Sequence, residues 1–327
     1  MRLGLTLAAL ALAATTATPT GPPAGAAAPN SPLLGYLARI SGNHTISGQH
    51  NREPNADPTT YTRIAQRITG QTPGLWGGDL LFSPDDVAHR QTMIDEAIRQ
   101  WHAGSVVALT WHVCPPTVGR TCGWDGAGIL SHLSDPQWSQ LITTGSALNN
   151  AWKARLNEAI PYLRQLQNAG VEALFRPIHE MNDGWSWWGG RPGPNGSRRL
   201  YQITHDYLIS QGITNLIWVW NVKDVNTAIG DYWPGPSYVD VASLDVWVKF
   251  EPSRADYQAL LNLAAGKPIA LGEVGRVPSP VLLTAQPRWT WFMVWAEWLT
   301  NPTYNTNDAV RRTYADPRVL NRGEIHR

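Results

Sequence analysis

Eight short runs rich in apolar and β-branched residues, separated by helix-like segments, constrain the fold of this 327-residue chain. The runs cover residues 45–49, 73–79, 105–112, 171–180, 215–221, 239–247, 268–273 and 289–297. Each has the length of a buried strand, and most end on a polar or aromatic residue. Strands that alternate with helices pair in parallel through right-handed crossovers. Eight such units predict a single-domain (β/α)8 barrel, the TIM-barrel fold.

The segments between the runs carry helix signals. Ser83-Pro84-Asp85-Asp86 predicts the start of a helix, and Gly104 predicts its end. Apolar residues recur at helical spacing over 152–166, although Pro161 is expected to kink or split that helix. Residues 200–208 and 256–264 predict two more helices. An open doubly wound sheet is the alternative, but the chain lacks the glycine-rich nucleotide loop that typically marks such a sheet.

The N-terminal segment has the composition of a secretory signal peptide. A basic residue precedes an apolar run over residues 3–14, and small residues at 24–28 offer cleavage sites. We therefore expect a signal peptide at 1–28, a secreted protein, and one catalytic domain over 29–327. The 26 Lys and Arg balance the 25 Asp and Glu, which argues against a nucleic-acid or membrane partner. A monomer is the default expectation.

The chain has two cysteines, Cys114 and Cys122, and they stand close together in the sequence. In an exported protein this spacing favours a disulfide that closes a short loop. A zinc site is the alternative, but no second Cys or His pair stands at ligand spacing. The loop follows the third strand directly, so it is expected to shape one side of a cleft at the barrel mouth.

Two glutamates terminate apolar strands, and they suggest the chemistry of the site. Glu180 ends the fourth strand before a loop rich in Trp and Gly, and Glu273 ends the seventh. Strands four and seven lie on opposite sides of an eight-stranded ring, so two carboxyl groups can face each other across its mouth. Carboxyls about 5–5.5 Å apart are the geometry of retaining glycoside hydrolysis. The 17 Trp against four Phe also suit a cleft that binds sugar rings.

Other interpretations of these residues remain open. Glu273 could be a buried ion-pair partner for Arg176 or Arg276. The histidines at three strand ends, His50, His112 and His179, could hold a metal, although hydrogen bonding to sugar hydroxyls suits them better. The sequence lacks the second histidine of a zinc-protease motif after His179-Glu180. It also lacks the Gly-x-Ser-x-Gly elbow that carries the usual α/β-hydrolase nucleophile.

The order of several motifs resembles glycoside hydrolase family 26. They are Ser47-Gly48-Gln49-His50, Trp111-His112, the block from Arg176 to Gly189, Trp218-Val219-Trp220-Asn221, Tyr238-Val239-Asp240-Val241, and the run from Lys267 to Glu273. The most specific is Arg-Pro-x-His-Glu-Met-Asn followed by Trp-x-Trp-Trp-Gly. The resemblance covers essentially all of 29–327. It implies a retaining (β/α)8 enzyme, best known in β-1,4-mannanases, which needs no cofactor or metal.

The resemblance also implies roles for individual residues. Glu180 would be the general acid/base and Glu273 the nucleophile. The other implied site residues are His112 and His179, which would bind the sugar or orient the carboxylates; Trp185, which would stack on a neighbouring sugar; Asp245, which would order the surroundings of the nucleophile; Trp247; and Trp295, which would lie beneath the distorted ring.

Two departures bear on the substrate. The family's mannanases usually have Tyr at the position of Trp247, donating a hydrogen bond to the nucleophile. The end of strand five, Asn221-Val222-Lys223-Asp224, also differs from theirs. The expected activity is endo-β-1,4-mannanase. The alternatives are a β-1,3-xylanase or mixed-linkage β-glucanase of the same family, a transglycosylase using the same intermediate, and a non-catalytic carbohydrate-binding barrel.

Overall fold

In the computed structural model, residues 31–225, 228–247 and 249–327 are described, and eight parallel strands close into a barrel. The expected signal peptide lies outside these residues. The barrel strands are β1, in two pieces (Thr45–Ile46 and Gly48–His50), β2 (Leu75–Asp79), β3 (Val106–Thr110), β4 (Ala173–Arg176), β5 (Leu216–Lys223), β6 (Val241–Val246), β7 (Ile269–Val274) and β8 (Trp289–Val294). A short outer strand, β9 (Val319–Leu320), pairs with β1.

The register of β8 closes the ring. It pairs with β7 on one side and with both pieces of β1 on the other, where Ile46 lies opposite Trp291 and Gln49 opposite Val294. Every strand pair is parallel, so all eight carboxyl ends meet at one mouth. The predicted (β/α)8 barrel is confirmed, with all eight predicted strands present.

Helices cover the barrel. They are α1 (Pro32–Ile40), α2 (Thr60–Thr69), α3 (Pro84–Ala88), α4 (Arg90–His102), α5 (Asp135–Ile142), α6 (Ala147–Asn168), α7 (Ser197–Ser210), α8 (Arg254–Ala264), α9 (Pro280–Ala285) and α10 (Asn307–Tyr314); short 3₁₀ turns cover Ile229–Tyr232, Pro236–Tyr238, Ala296–Thr300 and Arg322–Glu324. Within the part of the chain that the structure describes, none of the helices combines the length and apolar character of a membrane span.

The apolar core has two layers. An outer layer packs the helices against the strands, with Trp152, Leu156 and Leu163 of α6 fully buried. An inner layer fills the barrel with strand residues such as Val106 and Leu174, together with residues of α1. The site at the mouth therefore stands on a filled barrel rather than over a pore.

One helix prediction is wrong, and a second is wrong in part. The helix predicted from Ser83 to Gly104 is two helices, because α3 ends at Ala88 and α4 starts at Arg90. The buried Arg90 guanidinium donates to the carbonyls of Leu80 and Leu81, both at 2.6 Å, which ties this break to the end of β2. Pro161 does not split α6. It lies on the exposed face, where water can satisfy the carbonyl that Pro161 cannot bond.

Strand four is also shorter than predicted. It ends at Arg176, and the chain then turns through Ile178 and Glu180, both with positive φ (52° and 48°). Residues other than Gly rarely adopt a positive φ, so the turn costs free energy that surrounding contacts must offset. Glu180 thus sits on a strained turn beyond the strand rather than on its last residue.

Candidate active site

The turn after β4 aims Glu180 into a cleft at the mouth of the barrel. The backbone N–H of Glu180 donates to Oδ1 of Asn221, on β5, over 2.7 Å. Asn221 in turn donates to Asp245 and Ser243 of β6. A hydrogen-bond network across three neighbouring strands therefore holds the strained backbone that presents this carboxyl.

Three polar groups contact the Glu180 carboxyl. Trp185 Nε1 donates to Oε2 over 2.5 Å, Trp247 Nε1 donates to Oε1 over 2.8 Å, and Lys223 Nζ lies 3.6 Å from Oε2. Burial, reinforced by the nearby charge of Glu273, raises the pKa of Glu180 to about 7, although Lys223 and the Trp185 N–H oppose the rise. A carboxyl with this pKa can both release and accept a proton near neutral pH.

Glu273 lies across the cleft in a different environment. Its Oε1 accepts a hydrogen bond from Arg176, whose guanidinium also donates to Asp245 over 2.7 Å and to Thr110 over 3.0 Å. Arg176 is the ion-pair partner that the alternative interpretation of Glu273 named; Arg276 instead lies over the ring of Phe250. The ion pair with Arg176 does not exclude Glu273 from the cleft, because Glu273 also lines the cavity.

The carboxyl groups approach closely. One oxygen each from Glu180, Asp245 and Glu273 lie within 4.8 Å of one another. Such a set could hold a metal ion on distance alone, but Arg176 already supplies positive charge to two of the three carboxylates. Among the described residues, the three strand-end histidines form no comparable group.

His112 and His179 differ in their protonation. His112 Nδ1 bonds Oδ2 of the buried Asp79 over 2.5 Å; burial lowers the pKa of His112, but the Asp79 carboxylate outweighs it and raises the pKa overall. Burial together with His112 and Arg176 lowers the pKa of His179 well below its usual value, so this ring is neutral. Its Nδ1 is buried and has no hydrogen-bond partner among the described residues, while the ring as a whole lines the cleft.

Indole rings form the walls of the cleft, which encloses about 540 Å³. Trp295 stacks on the buried His50 ring, with centroids 4.0 Å apart and planes 14° from parallel. Trp185 stacks on Trp124 at 5.5 Å and 20°. Flat apolar faces beside polar groups are the surfaces on which a pyranose can lie.

The structure brings most of the predicted site residues together. Those that line the cleft are Glu180, Glu273, His112, His179, Trp185, Trp247 and Trp295. Asp245 is fully buried and does not line it, so Asp245 acts on the site through Arg176 and Asn221 and not by touching a ligand. The N–H of Trp247 donates to Glu180, whereas the family resemblance placed a donor on the nucleophile at this position.

The sequence predicted no role for three sets of residues that line the cleft. Arg52 and Glu53 at its rim carried no motif signal. Lys223 stood in a segment noted for its departure from the family, without a role. Trp124 follows Cys122 by two residues, so the predicted disulfide loop was its one available signal. Cys114 and Cys122 do form a disulfide, with Cα atoms 5.8 Å apart, and the segment beside it lines the cleft through Trp124.

Comparison with known proteins agrees with this geometry. The sequence model described as glycosyl hydrolase family 26 matches residues 24–324. The structure resembles that of GH26A from Muricauda sp. with a TM-score of 0.84 and 35% sequence identity, covering 90% of this chain and 96% of that one.

Two curated relatives carry the name mannan endo-1,4-beta-mannosidase. The protein of Thermothelomyces thermophilus is 32% identical over 314 residues, covering 90% of this chain and 60% of the relative. The protein of Bacillus subtilis is 27% identical over 317 residues, covering 89% of this chain and 85% of the relative. The chain thus spans about three fifths of the length of one relative and most of the other.

Proposed function

The chain belongs to glycosyl hydrolase family 26, and we propose that it is a retaining endo-β-1,4-mannanase that hydrolyses mannan-type polysaccharides. The observation that carries this proposal is the pair Glu180 and Glu273, with oxygens within 4.8 Å across a cleft walled by indoles. Retaining enzymes keep their two carboxyls about 5–5.5 Å apart, whereas inverting enzymes leave about 6.5–9.5 Å for a water molecule.

The environments of the two carboxyls assign their roles in the proposal. Glu180, with its pKa raised to about 7, is the general acid: its proton passes to the glycosidic oxygen as the bond to the anomeric carbon breaks. Glu273, oriented by Arg176, attacks that carbon from the opposite face and forms a glycosyl-enzyme ester. The leaving sugar departs with the proton that Glu180 gave up.

The second half of the reaction reverses these roles. Glu180, now a carboxylate held by the N–H groups of Trp185 and Trp247, takes a proton from water. The water oxygen attacks the anomeric carbon, the ester bond to Glu273 breaks, and Glu273 leaves as a carboxylate. Two inversions give net retention, and Glu180 ends protonated as it began.

The remaining residues position the sugar in this proposal. Neutral His179 lines the cleft and offers a ring nitrogen to a hydroxyl of the reacting sugar, while His112, which also lines the cleft, is held in place by Asp79. Trp295, backed by His50, gives the reacting ring a flat support. Asp245 holds Arg176, which holds Glu273.

The mannan assignment rests on the names of the relatives and is tested by a substrate panel. Purified protein is incubated with linear β-mannan, galactomannan, β-1,3-xylan and mixed-linkage β-glucan, and released reducing ends are measured. Release mainly from the mannans is expected. Activity confined to xylan or glucan would overturn the mannan assignment but keep the two-glutamate mechanism.

The mechanism has its own test, using activated aryl glycosides and azide. Glu273→Ala should yield a glycosyl azide of inverted configuration, and Glu180→Ala one of retained configuration, since azide replaces the nucleophile in one variant and the base-activated water in the other. Unchanged turnover in Glu273→Ala would overturn the assignment of the nucleophile.

We also propose that the protein is secreted. The support is the signal-peptide pattern of residues 1–28 together with the Cys114–Cys122 disulfide, a bond typical of oxidising compartments. N-terminal sequencing of protein recovered from the medium of an expressing host tests this: a start near residue 29 is expected, and retention of the whole protein inside the cell would contradict it.

A further inference from the structure

The turn that follows β2 is a strained part of the cleft wall. Leu81 lies two residues beyond the end of that strand, has a φ of 50°, and lines the cavity together with Phe82. Few residues other than Gly adopt such a backbone conformation, so surrounding contacts must hold it in place. Strained backbone of this kind is concentrated at ligand-binding and active sites. The groups that hold Leu81 are therefore the place to look for a functional role.

Leu81 is held at both its backbone N–H and its carbonyl. The N–H donates to Oδ1 of Asp79 over 2.9 Å, and the carbonyl accepts from Nη2 of Arg90 over 2.6 Å. Nε of the same guanidinium donates to the carbonyl of Leu80, also over 2.6 Å. Oδ1 of Asp79 accepts a further hydrogen bond from the backbone N–H of His112 over 3.0 Å. Arg90 thus fixes the turn from outside the barrel, and Asp79 joins the turn to a histidine of the cleft.

Arg90 brings a positive charge into the protein interior. Its side chain is 2% exposed, and a charge buried to this extent needs a counter-charge. Glu158 of α6 provides one, with Oε2 at 4.0 Å from Nη1 of Arg90. Both of these atoms are buried and lack a hydrogen-bond partner within the residues that the structure describes. Burial lowers the pKa of Arg90, while the Glu158 carboxylate raises it. Glu158 therefore stabilises the guanidinium at the point where the turn needs it.

Glu158 also pairs with two arginines that belong to or hold the disulfide loop. Arg155 lies 3.4 Å from Oε1 and donates to a backbone carbonyl of that loop over 3.1 Å. Arg120, within the loop, lies 3.6 Å from Oε2. The loop in turn meets the turn after β2, where the N–H of Cys122 donates to the carbonyl of Phe82 over 3.2 Å. One carboxylate on α6 thus supports two adjoining segments at the barrel mouth.

We propose that Arg90 is a positioning residue of the active site and that Glu158 acts as its counter-charge. Arg90 holds the strained turn, so that Leu81 stays in the cleft wall and Asp79 keeps its place beside His112. Arg90 and Glu158 do not line the cleft, so both act through the turn and not by touching the substrate. This inference rests on the proposed function and adds to it a support that lies behind the cleft wall.

Loss of Arg90 should weaken sugar binding more than it slows bond breaking. The carboxyls of Glu180 and Glu273 are held by two indoles and by Arg176, which do not belong to this turn. A relaxed turn would instead withdraw Leu81 from the surface that the sugar meets. A substitution that acts in this way raises KM and leaves kcat nearly unchanged.

The test compares three variants with a matched control on linear β-mannan, at a temperature where all are folded by circular dichroism. Arg90→Met removes the charge and both hydrogen bonds at similar length, Arg90→Lys keeps the charge, and Glu158→Gln removes the counter-charge at constant shape. The control is Glu172→Gln, the same substitution in a partly buried carboxylate that accepts from Leu33 N–H over 2.8 Å at the opposite end of the barrel.

Arg90→Met should raise KM about tenfold with kcat within about twofold of wild type. Arg90→Lys should recover part of this loss, because the ammonium can still donate to one of the two carbonyls. Glu158→Gln should raise KM about threefold, since the guanidinium then holds the turn less firmly. Glu172→Gln should keep the wild-type KM even where its thermal midpoint falls.

Amide hydrogen exchange measured by NMR gives a readout that does not depend on activity. The Leu81 N–H should exchange about tenfold faster in Arg90→Met and in Glu158→Gln, while the amides of β4 keep their wild-type rates. A residue that contributes only to global stability would instead speed the exchange of both regions together. Glu172→Gln should leave the Leu81 amide unchanged.

Wild-type KM and wild-type Leu81 exchange in Arg90→Met would overturn the proposal, and the same result in Glu158→Gln would do so if Arg90→Met does not fold. A KM that rises equally in Glu172→Gln would also contradict it. If the wild-type protein hydrolyses no mannan, the proposed function fails on its own. Faster Leu81 exchange confined to the Arg90 and Glu158 variants, with weaker binding of mannopentaose by calorimetry, would still support the positioning role.

Discussion

The indole N–H of Trp247 donates to Oε1 of Glu180 over 2.8 Å, on the carboxyl oxygen opposite the one that Trp185 contacts. The two indoles thus hold both oxygens of one carboxyl. A carboxylate that accepts hydrogen bonds on both oxygens has one orientation, and hydrogen bonds to the charged form lower its pKa. Trp247 therefore contacts the carboxyl proposed as the acid/base, Glu180, and not the one proposed as the nucleophile.

Trp247→Phe keeps a ring at this position and removes the N–H. We expect kcat to fall about tenfold, because Glu180 loses the group that orients it as the base for water. The slowed step is hydrolysis of the glycosyl-enzyme, so an activated aryl mannoside should give a burst of phenol before the steady rate. Rapid-mixing absorbance measures that burst. Trp298→Phe, whose ring contacts Trp247 but not the carboxyl, is the control and should show wild-type kinetics.

The second prediction is that Lys223 sets the upper pH limit of activity. Its ammonium lies 3.6 Å from Glu180 and 3.1 Å from Asp183, and it opposes the burial that raises the pKa of Glu180 to about 7. Formation of the glycosyl-enzyme needs protonated Glu180, so kcat/KM falls as pH rises through the pKa of Glu180. Removing the cation disfavours the carboxylate, and the pKa rises further.

Lys223→Met should therefore move the descending limb of the kcat/KM profile to higher pH by about one unit. Lys249→Met is the matched control, because Lys249 pairs with Asp256 on α8 and lies outside the cleft. A limb that stays in place, or moves to lower pH, would show that Lys223 does not act on the acid/base.

Much of the fold could be predicted from local sequence patterns, because the period of the apolar residues, the turn residues and the strand lengths are properties of short segments. The eight strands and the positions of Glu180 and Glu273 at the mouth came from runs that end on polar residues. The exact end of β4 did not, since the positive φ at Ile178 and Glu180 is stabilised by contacts with Asn221 from another strand. Tertiary contacts of this kind leave no trace in a local sequence window.

The sequence predicted the site where one residue carries the chemistry by itself. It did not predict contacts between pairs of residues. The sequence suggested an ion pair between Glu273 and either Arg176 or Arg276 only as an alternative, and the sharing of Arg176 between Glu273 and Asp245 depends on three strands meeting. The stack of Trp124 on Trp185 joins the loop that follows β3 to the loop that follows β4. Such pairs depend on the relative placement of loops, which the barrel pattern does not encode.

The buried pair of Asp79 and His112 gives a third prediction, for stability. Burial raises the pKa of Asp79, but His112 outweighs it and lowers the pKa overall, while Asp79 raises that of His112. The Asp79 contribution is present above its unfolded pKa and is lost as pH falls through the lower folded value. The His112 contribution is present below its unfolded pKa and is lost as pH rises through the raised folded value.

Asp79→Asn should accordingly lower the free energy of unfolding by about 2 kcal/mol near pH 6, and by less at pH 3 and pH 10. Urea unfolding of both proteins at the three pH values gives the differences. Asn keeps an acceptor for the backbone N–H of His112, so the variant should fold. A destabilisation that does not change with pH would mean that the pair is held by packing rather than by charge.

The disulfide is expected to act on the cleft as well as on stability. Cys114 and Cys122 close a loop with a sequence separation of eight residues, for which loop-closure entropy predicts about 2.5 kcal/mol. Arg155 also holds this loop, donating to the carbonyl of Val118 over 3.1 Å. The loop should therefore stay near its place without the bond while Trp124, two residues beyond Cys122, becomes more mobile.

Cys114→Ser/Cys122→Ser should lower the midpoint of thermal unfolding and, below it, raise KM for mannan, because Trp124, which lines the cleft, is then held less firmly. Initial rates on mannan check this at a temperature where both proteins are folded by circular dichroism. Adding the Ser pair to Trp124→Ala should change KM little further, because the ring on which the loop acts is already gone. An additive change would mean that the disulfide shapes the cleft through residues other than Trp124.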